Sequence, residues 1–384
     1  MTRLTGEGFD VTSVGRALDP DELAARLAGV HLLGVRSKTL VTAEVLAAAP
    51  ELTAVGAFCI GTDQIDLAAA TAAGVAVFNA PFSNTRSVVE LALAEIIALT
   101  RRLTEKNTGM HAGVWDKAAE GSHEVRGRTL GIVGYGNIGT QLSVLAENLG
   151  MSVYFFDTAD KLALGNAWRC GSLDELLDVA DVVSLHVDGR PGNSGFFGDE
   201  QFARMRPGSL FLNLSRGFVI DHGALRKYLD TGHLTGAAID VVPTEPKGRG
   251  DEFRSELRGL PNVILTPHIG GSTEEAQADI GAFVADKLFR YVAEGTTTLS
   301  VNLPPLALPQ SPGTHRLMLV HHNIPGVLAA VNRVLAEHSV NIEGQLLGTR
   351  GEYGYLLTDI GVDYSDEVLD QVRAMPQTIR LRVL

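Results

Sequence analysis

The stretch "TLGIVGYGNIGTQLSVLAENLGMSVYFFD", residues 129–157, limits the fold more than any other part of the chain. An apolar run leads into Gly134, Gly136 and Gly139, a helical pattern follows, and a second apolar run ends in Asp157. Three glycines at G-x-G-x-x-G spacing mean little alone, but between a strand and a helix they mark a βαβ unit that binds a dinucleotide. The first glycine permits the tight turn, the second lets the backbone approach a pyrophosphate, and the third lets helix and strand pack closely. The helix start adds free N–H groups and a positive dipole end. Asp157 stands where an acid accepts hydrogen bonds from the adenosine ribose, and its charge repels a 2′-phosphate, which favours NAD over NADP.

Similar apolar, β-branched runs recur along the chain: "HLLGVRS", "LTAVGAFCIG", "VAVF", "DVVSLHV", "LFLNLS", "GAAIDVV" and "VILTPH". Helical patterns separate them, with start signals at Asp19-Pro20-Asp21-Glu22 and Ser172-Leu173-Asp174-Glu175. Strands buried on both faces that alternate with helices predict an α/β chain with doubly wound parallel sheets of Rossmann or flavodoxin-like type. With 384 residues, two or three domains are expected. "VNLPPLALPQSPGTHR" interrupts the pattern, because its prolines tolerate neither helix nor ladder. Beyond it, strand, helix, two strands, helix and strand follow in turn, the βαββαβ order of a ferredoxin-like domain.

Composition excludes several classes. A net charge of −13 opposes nucleic acid, whose binding rests on a basic surface. No apolar run reaches the roughly 18 residues of a membrane span, and no secretory signal opens the chain. Two cysteines, Cys59 and Cys170, form no disulfide or metal framework, so a cytoplasmic protein without a metal site is expected.

The chemistry is expected at the carboxyl ends of the later strands. "LFLNLSRG" ends in Ser215-Arg216-Gly217, "AAIDVVPTEP" supplies Asp240 and Glu245, and "VILTPH" ends in His268. Together they suit hydride transfer at a hydroxyl-bearing carbon next to a carboxylate. Arg216 would hold the carboxylate, His268 would take the hydroxyl proton, and Glu245 would orient the imidazole. Asp240 is expected to meet the cofactor.

"FCIGTDQIDL", "VFNAPFSNTRSVVELALAEI", "GIVGYGNIGTQL", "AAIDVVPTEP" and "LTPHIGGSTEEAQ" resemble the D-2-hydroxyacid dehydrogenases, within them the bacterial phosphoglycerate-oxidising type with a C-terminal ACT domain. The resemblance covers nearly the whole chain. It implies NAD-linked oxidation of 3-phospho-D-glycerate to 3-phosphohydroxypyruvate at the start of serine synthesis, with reduction of 2-oxoglutarate to 2-hydroxyglutarate as a side activity. It assigns catalysis to Arg216, Glu245 and His268. Asn137, Ile138, Leu214, Ser215, Asp240, Gly270 and Gly271 would join the glycine loop and Asp157 around NAD. Arg36, Ser37, Lys38, Trp115 and Lys117 would hold the substrate phosphate, with Asn84 and Arg86 nearby.

The same resemblance divides the chain into a split substrate domain (1–83 and 272–303), an NAD domain (84–271), a linker (304–313) and an ACT domain (314–384). Ser272 and Glu275 would cap a crossing helix, with Gly270 and Gly271 as its hinge. His321, Asn323 and Asn341 would bind L-serine as a feedback effector between paired ACT domains. The apolar helix "TRSVVELALAEIIALTRRL" and ACT pairing imply a homotetramer. Relatives open with a strand–helix unit ahead of the segment matching "FDVTSV", and the lack of one here predicts an unpaired edge or exposed apolar face in the small sheet. Pro312, where relatives have a glycine pair, would stiffen the linker. Rival readings are a glyoxylate or hydroxypyruvate reductase, disfavoured by Arg36, Lys38 and the appended domain, and a non-catalytic NAD-sensing corepressor, disfavoured by the intact Arg-Glu-His set.

Overall fold

The computed structural model describes residues 2–246, 250–309 and 311–384. Gln310, inside the expected linker, lies outside them. Two compact units result, residues 84–277 and residues 1–83 with 278–384.

The first unit is built on a seven-stranded parallel sheet. Its strands are β4 (Thr129–Val133), β5 (Ser152–Phe156), β6 (Trp168–Arg169), β7 (Val182–Leu185), β8 (Ser209–Asn213), β9 (Leu234–Ile239) and β10 (Val263–Leu265). The order β10-β9-β8-β7-β4-β5-β6 places the glycine strand β4 between β7 and β5. The chain winds outward through β5 and β6, then returns to wind the other way through β7 to β10. Loops leaving β4 and β7 therefore part at the carboxyl ends and open a crevice there. Strands β7 and β8 are buried along their whole length, as continuous apolar runs require. The two-residue β6, exposed at the edge, left no periodic signal to read.

Helix ends follow local chemistry, with two differences from expectation. Ser172 accepts the N–H of Glu175 at 3.1 Å, as its spacing predicts. The apolar helix, expected through residue 103, stops at Thr100. Arg102 adopts φ 50°, which breaks the ladder, and a separate helix runs over Leu103–His111. The helix after His268 spans Glu274–Glu294, and Thr273, not Ser272, caps it: its Oγ1 accepts the N–H of Ala276 at 3.1 Å.

The second unit holds β1 (Leu32–Val35), β2 (Ala54–Ala57) and β3 (Ala76–Phe78), all parallel. Asp19 caps the first long helical segment at Glu22 N–H, with Pro20 in its first turn. β1 stands at the edge, with no strand outside it among the described residues. The other edge is sealed by the returning chain, where Val301 donates to Val77 O and Asn302 Oδ1 accepts from Val77 N, both at 2.8 Å.

The C-terminal strands β11 (His315–His322), β12 (Ile342–Arg350), β13 (Tyr353–Ile360) and β14 (Thr378–Val383) form an antiparallel sheet ordered β12-β13-β11-β14. Alternate residues of β11 serve two cores. Leu317 and Leu319 face the helices Val327–Glu337 and Asp366–Ala374, while Met318 and Val320 join Ala54, Phe78, Val284 and Leu288. Residues 304–309 and 311–313 carry no helix or strand, yet the proline segment is fastened: Leu303 and Leu306 are buried, and Thr297 Oγ1 donates to Pro304 O at 2.6 Å. Fully buried Arg316 forks onto Asp359 (2.6 and 2.7 Å) and also donates to Glu294 O at 2.7 Å, clasping the sheet to the end of the long helix.

Candidate active site

Three strand-end loops of the 84–277 unit build the site. Beyond β10, Thr266-Pro267-His268 turns sharply, with His268 in the left-handed region at φ 55°. This costly conformation for a residue with a Cβ persists because the surroundings over-determine it. His268 N–H donates to Asp240 O at 2.8 Å. The Asp240 carboxylate then accepts Thr266 Oγ1 at 2.6 Å, Ile269 N–H at 2.8 Å and Gly270 N–H at 2.9 Å. Both oxygens of Asp240, the residue expected to meet the cofactor, thus bond the loop that carries the histidine.

From the loop after β9, Glu245 Oε1 lies 2.7 Å from His268 Nδ1, both side chains being partly exposed. A carboxylate on Nδ1 fixes the tautomer and leaves Nε2 as the atom that can exchange a proton with a substrate. Arg216 follows β8. Its Nη1 donates to Ser215 O at 2.9 Å, and Asn213 Nδ2 donates to the Arg216 carbonyl at 3.0 Å. Gly217 lies so close to Val242 that a Cβ would sit 2.0 Å from its carbonyl carbon, which brings the Arg216 loop against the one leading to Glu245.

The residues around the glycine loop fit a dinucleotide. Gly134 has φ 94°, and a Cβ on Gly139 would collide with Gly134 O at 2.3 Å. A Cβ on Gly136 would meet nothing within 4 Å, so the open space a pyrophosphate needs is there. Asn137 and Ile138 start the helix Asn137–Asn148. Asp157 caps the turn by accepting Tyr135 N–H at 2.8 Å and borders a cavity of ≈ 440 Å³ lined with Phe156, Thr158, Arg169, Cys170 and Gly171.

The remaining expected residues sit as follows. Leu214 and Ser215 are buried, with the Ser215 hydroxyl on Asn213 Oδ1 at 2.6 Å. Gly270 and Gly271, expected as a hinge, have no positive φ, and a Cβ on them would meet Asp240 and Asn84 respectively. Trp115 is 77 % exposed and Lys117 lies on the surface; Arg36, Ser37 and Lys38 are exposed on the loop after β1 in the other unit. In the C-terminal sheet His321 is buried, not presented at a surface: its Nδ1 meets His322 O at 2.9 Å. Asn323 Nδ2 donates to Gly351 O, and Asn341 Nδ2 to Glu343.

The sequence reading missed Asn213 and Thr266, whose roles are bonds to backbone and to Asp240. It also missed Glu95, on the helix Thr85–Thr100. Glu95 is buried with no hydrogen-bond partner among the described residues, and burial, reinforced by the charge of Asp240, pushes its pKa up to about 8. An acid inside an otherwise apolar helix stripe was the available signal.

Residues 93–270 match the family described as D-isomer specific 2-hydroxyacid dehydrogenase, NAD binding domain, and residues 317–380 match an AHAS small subunit-like ACT domain. The D-3-phosphoglycerate dehydrogenase of Haemophilus influenzae is 51% identical over 369 residues, 96% of this chain and 90% of that protein. Its namesake in Dictyostelium discoideum is 47% identical over 378 residues, covering 98% and 92%. Among solved structures, the TT0316 protein of Thermus thermophilus aligns with TM-score 0.69 at 31% identity over 76% of this chain and 93% of its own. A D-lactate dehydrogenase of Aquifex aeolicus complexed with NAD and lactic acid aligns with TM-score 0.67 at 26% identity, over 74% and 91%.

Proposed function

The chain belongs to the D-3-phosphoglycerate dehydrogenases, within the D-isomer-specific 2-hydroxyacid dehydrogenases, and from that premise we propose that it oxidises 3-phospho-D-glycerate to 3-phosphohydroxypyruvate with NAD. The observation that carries this reading is the His268–Glu245 pair at 2.7 Å beside the Arg216 loop, in a domain with an open glycine turn. Arg216 holds the substrate carboxylate through its planar fork and polarises the adjoining carbon. His268 Nε2 takes the hydroxyl proton, and Glu245 keeps the ring oriented while it carries that charge. Bound NAD supplies the acceptor for the hydride leaving C2. Asp240, through Thr266, Ile269 and Gly270, fixes where the imidazole stands.

Arg36, Ser37 and Lys38, with Trp115 and Lys117, provide the cations and donors for the phosphate; a second carboxylate in place of phosphate makes 2-oxoglutarate a secondary substrate for reduction. NADH absorbance against a panel of hydroxy acids tests the assignment. Turnover of lactate or glycerate without 3-phosphoglycerate would overturn it.

L-serine acts as effector at the C-terminal sheet through Asn323 and Asn341, in an assembly of four chains. The exposed apolar run Leu103, Met110, Val114 and Trp115 supports burial between copies. Sedimentation as a monomer, or absence of serine binding at millimolar concentration by calorimetry, would reject these two statements separately.

A further inference from the structure

The loop after β7 carries two charges that the mechanism leaves unused, Asp188 and Arg190. Strand order sets this loop at the crevice, since β4 lies between β7 and β5. His186, just past β7, donates its N–H to Val133 O at 2.8 Å, and a Cβ on Gly134 would meet His186 O at 2.5 Å. On the other flank, Asp157 Oδ2 accepts Tyr135 N–H. The glycine turn is therefore bordered by the Asp188–Arg190 loop on one side and by Asp157 on the other.

Arg190 is held in a definite pose. Its Nε and Nη2 donate to the two oxygens of Asp188 at 2.7 and 2.5 Å. Asp188 is itself fixed by Asn193 Nδ2, which donates to its Oδ1 at 3.0 Å and its carbonyl at 2.9 Å. The Nη1 edge of Arg190 has no hydrogen-bond partner among the described residues, and the side chain is 64% exposed. Besides Asp188, Asp157 lies within electrostatic reach of the guanidinium, while Asp188 feels Arg216 as well as Arg190. The turn itself, "GYGNIGT" over 134–140, bears no charge, so a phosphate there meets only N–H groups and the helix dipole.

We propose that Arg190 is a receptor for phosphate on the adenosine half of the dinucleotide, offering its Nη1 edge while Asp188 keeps the guanidinium in place. This rests on the NAD-dependent reading above and adds a residue to it. A planar five-donor fork can keep one edge on a carboxylate and give another to a phosphate, which an ammonium cannot do with fixed geometry. The adenosine half offers two such phosphates, the pyrophosphate of every dinucleotide and the 2′-phosphate of NADP. Asp157 repels the second, and a guanidinium within its reach offsets that repulsion.

Calorimetry on the intact protein without cofactor tests this, using ADP, adenosine 2′,5′-bisphosphate and adenosine as ligands. Arg190→Gln is expected to weaken a phosphorylated ligand roughly tenfold or more while leaving adenosine unchanged, with Arg190→Lys recovering part of the loss. A loss for ADP assigns Arg190 to the pyrophosphate, and a loss confined to the 2′,5′-bisphosphate assigns it to the 2′-phosphate. Unchanged affinity for both, or an equal loss for adenosine, overturns the proposal. Failure of the parent protein to bind ADP would instead sink the cofactor reading on which it rests.

Discussion

Asp240→Asn isolates the positioning of His268 from its chemistry. The carboxylate faces three donors with both oxygens: Thr266 Oγ1 and Ile269 N–H on Oδ1, Gly270 N–H on Oδ2. An asparagine of the same shape has one oxygen. Whichever way it turns, its NH₂ group opposes a backbone N–H at a site that is 3% exposed, where water cannot substitute. Losing a charge-assisted bond costs about 1.5–3 kcal/mol, and a stranded buried N–H about 1–3 kcal/mol. Taking about 3 kcal/mol for the pair of effects, and about 1.4 kcal/mol per tenfold, the correctly placed loop becomes roughly 100-fold less populated. Steady-state kcat/KM with 3-phosphoglycerate should fall by about that factor, while adenosine binding, remote from the loop, stays unchanged. A kcat/KM within threefold of the parent would refute the claim that these bonds set the position of the imidazole.

His268→Ala removes the proposed proton acceptor without touching the glycine turn, so kcat should drop by roughly 10²–10⁴ with ADP affinity unchanged, read by absorbance and calorimetry. Glu95 gives a pH signature. Its folded pKa, about 8 against an ordinary 4.5, means the stability it confers while protonated is complete below 4.5 and is lost as pH rises through about 8. The melting temperature of Glu95→Gln should therefore gain on the parent between those limits; a pH-independent difference would show that the carboxyl is not held neutral. Asp359→Ala strands the fully buried Arg316 and should cost about 3–5 kcal/mol in urea unfolding, whereas replacing both residues with apolar ones of similar volume should recover most of it.

Much of this molecule was legible because its signals are local and periodic. The runs around Ile132, Phe155, Val183 and Ala238 could be nothing but buried strands, and Asp19 and Ser172 announce their helices through one bond each. His268, Glu245 and Arg216 were legible for a different reason, since a polar residue at the end of an apolar strand stands out. What stayed hidden depends on the third dimension. The break at Arg102 is a backbone torsion that an ordinary arginine does not advertise, and the cap is Thr273, whose Oγ1 takes Ala276 N–H, while Ser272 N–H turns back onto Ile269 O. Asp240 was noticed for its place, but its bonds to Ile269 and Gly270 N–H stayed hidden, because they involve no side-chain motif. The same holds for Arg190. Its neighbours in sequence, Gly189 and Pro191, suggest only a turn, and its relation to Asp157 exists solely because β4 separates their strands. A linear reading thus reaches polar groups at strand ends sooner than the groups that hold them still, because holding is done through backbone contacts whose partners are set by sheet order.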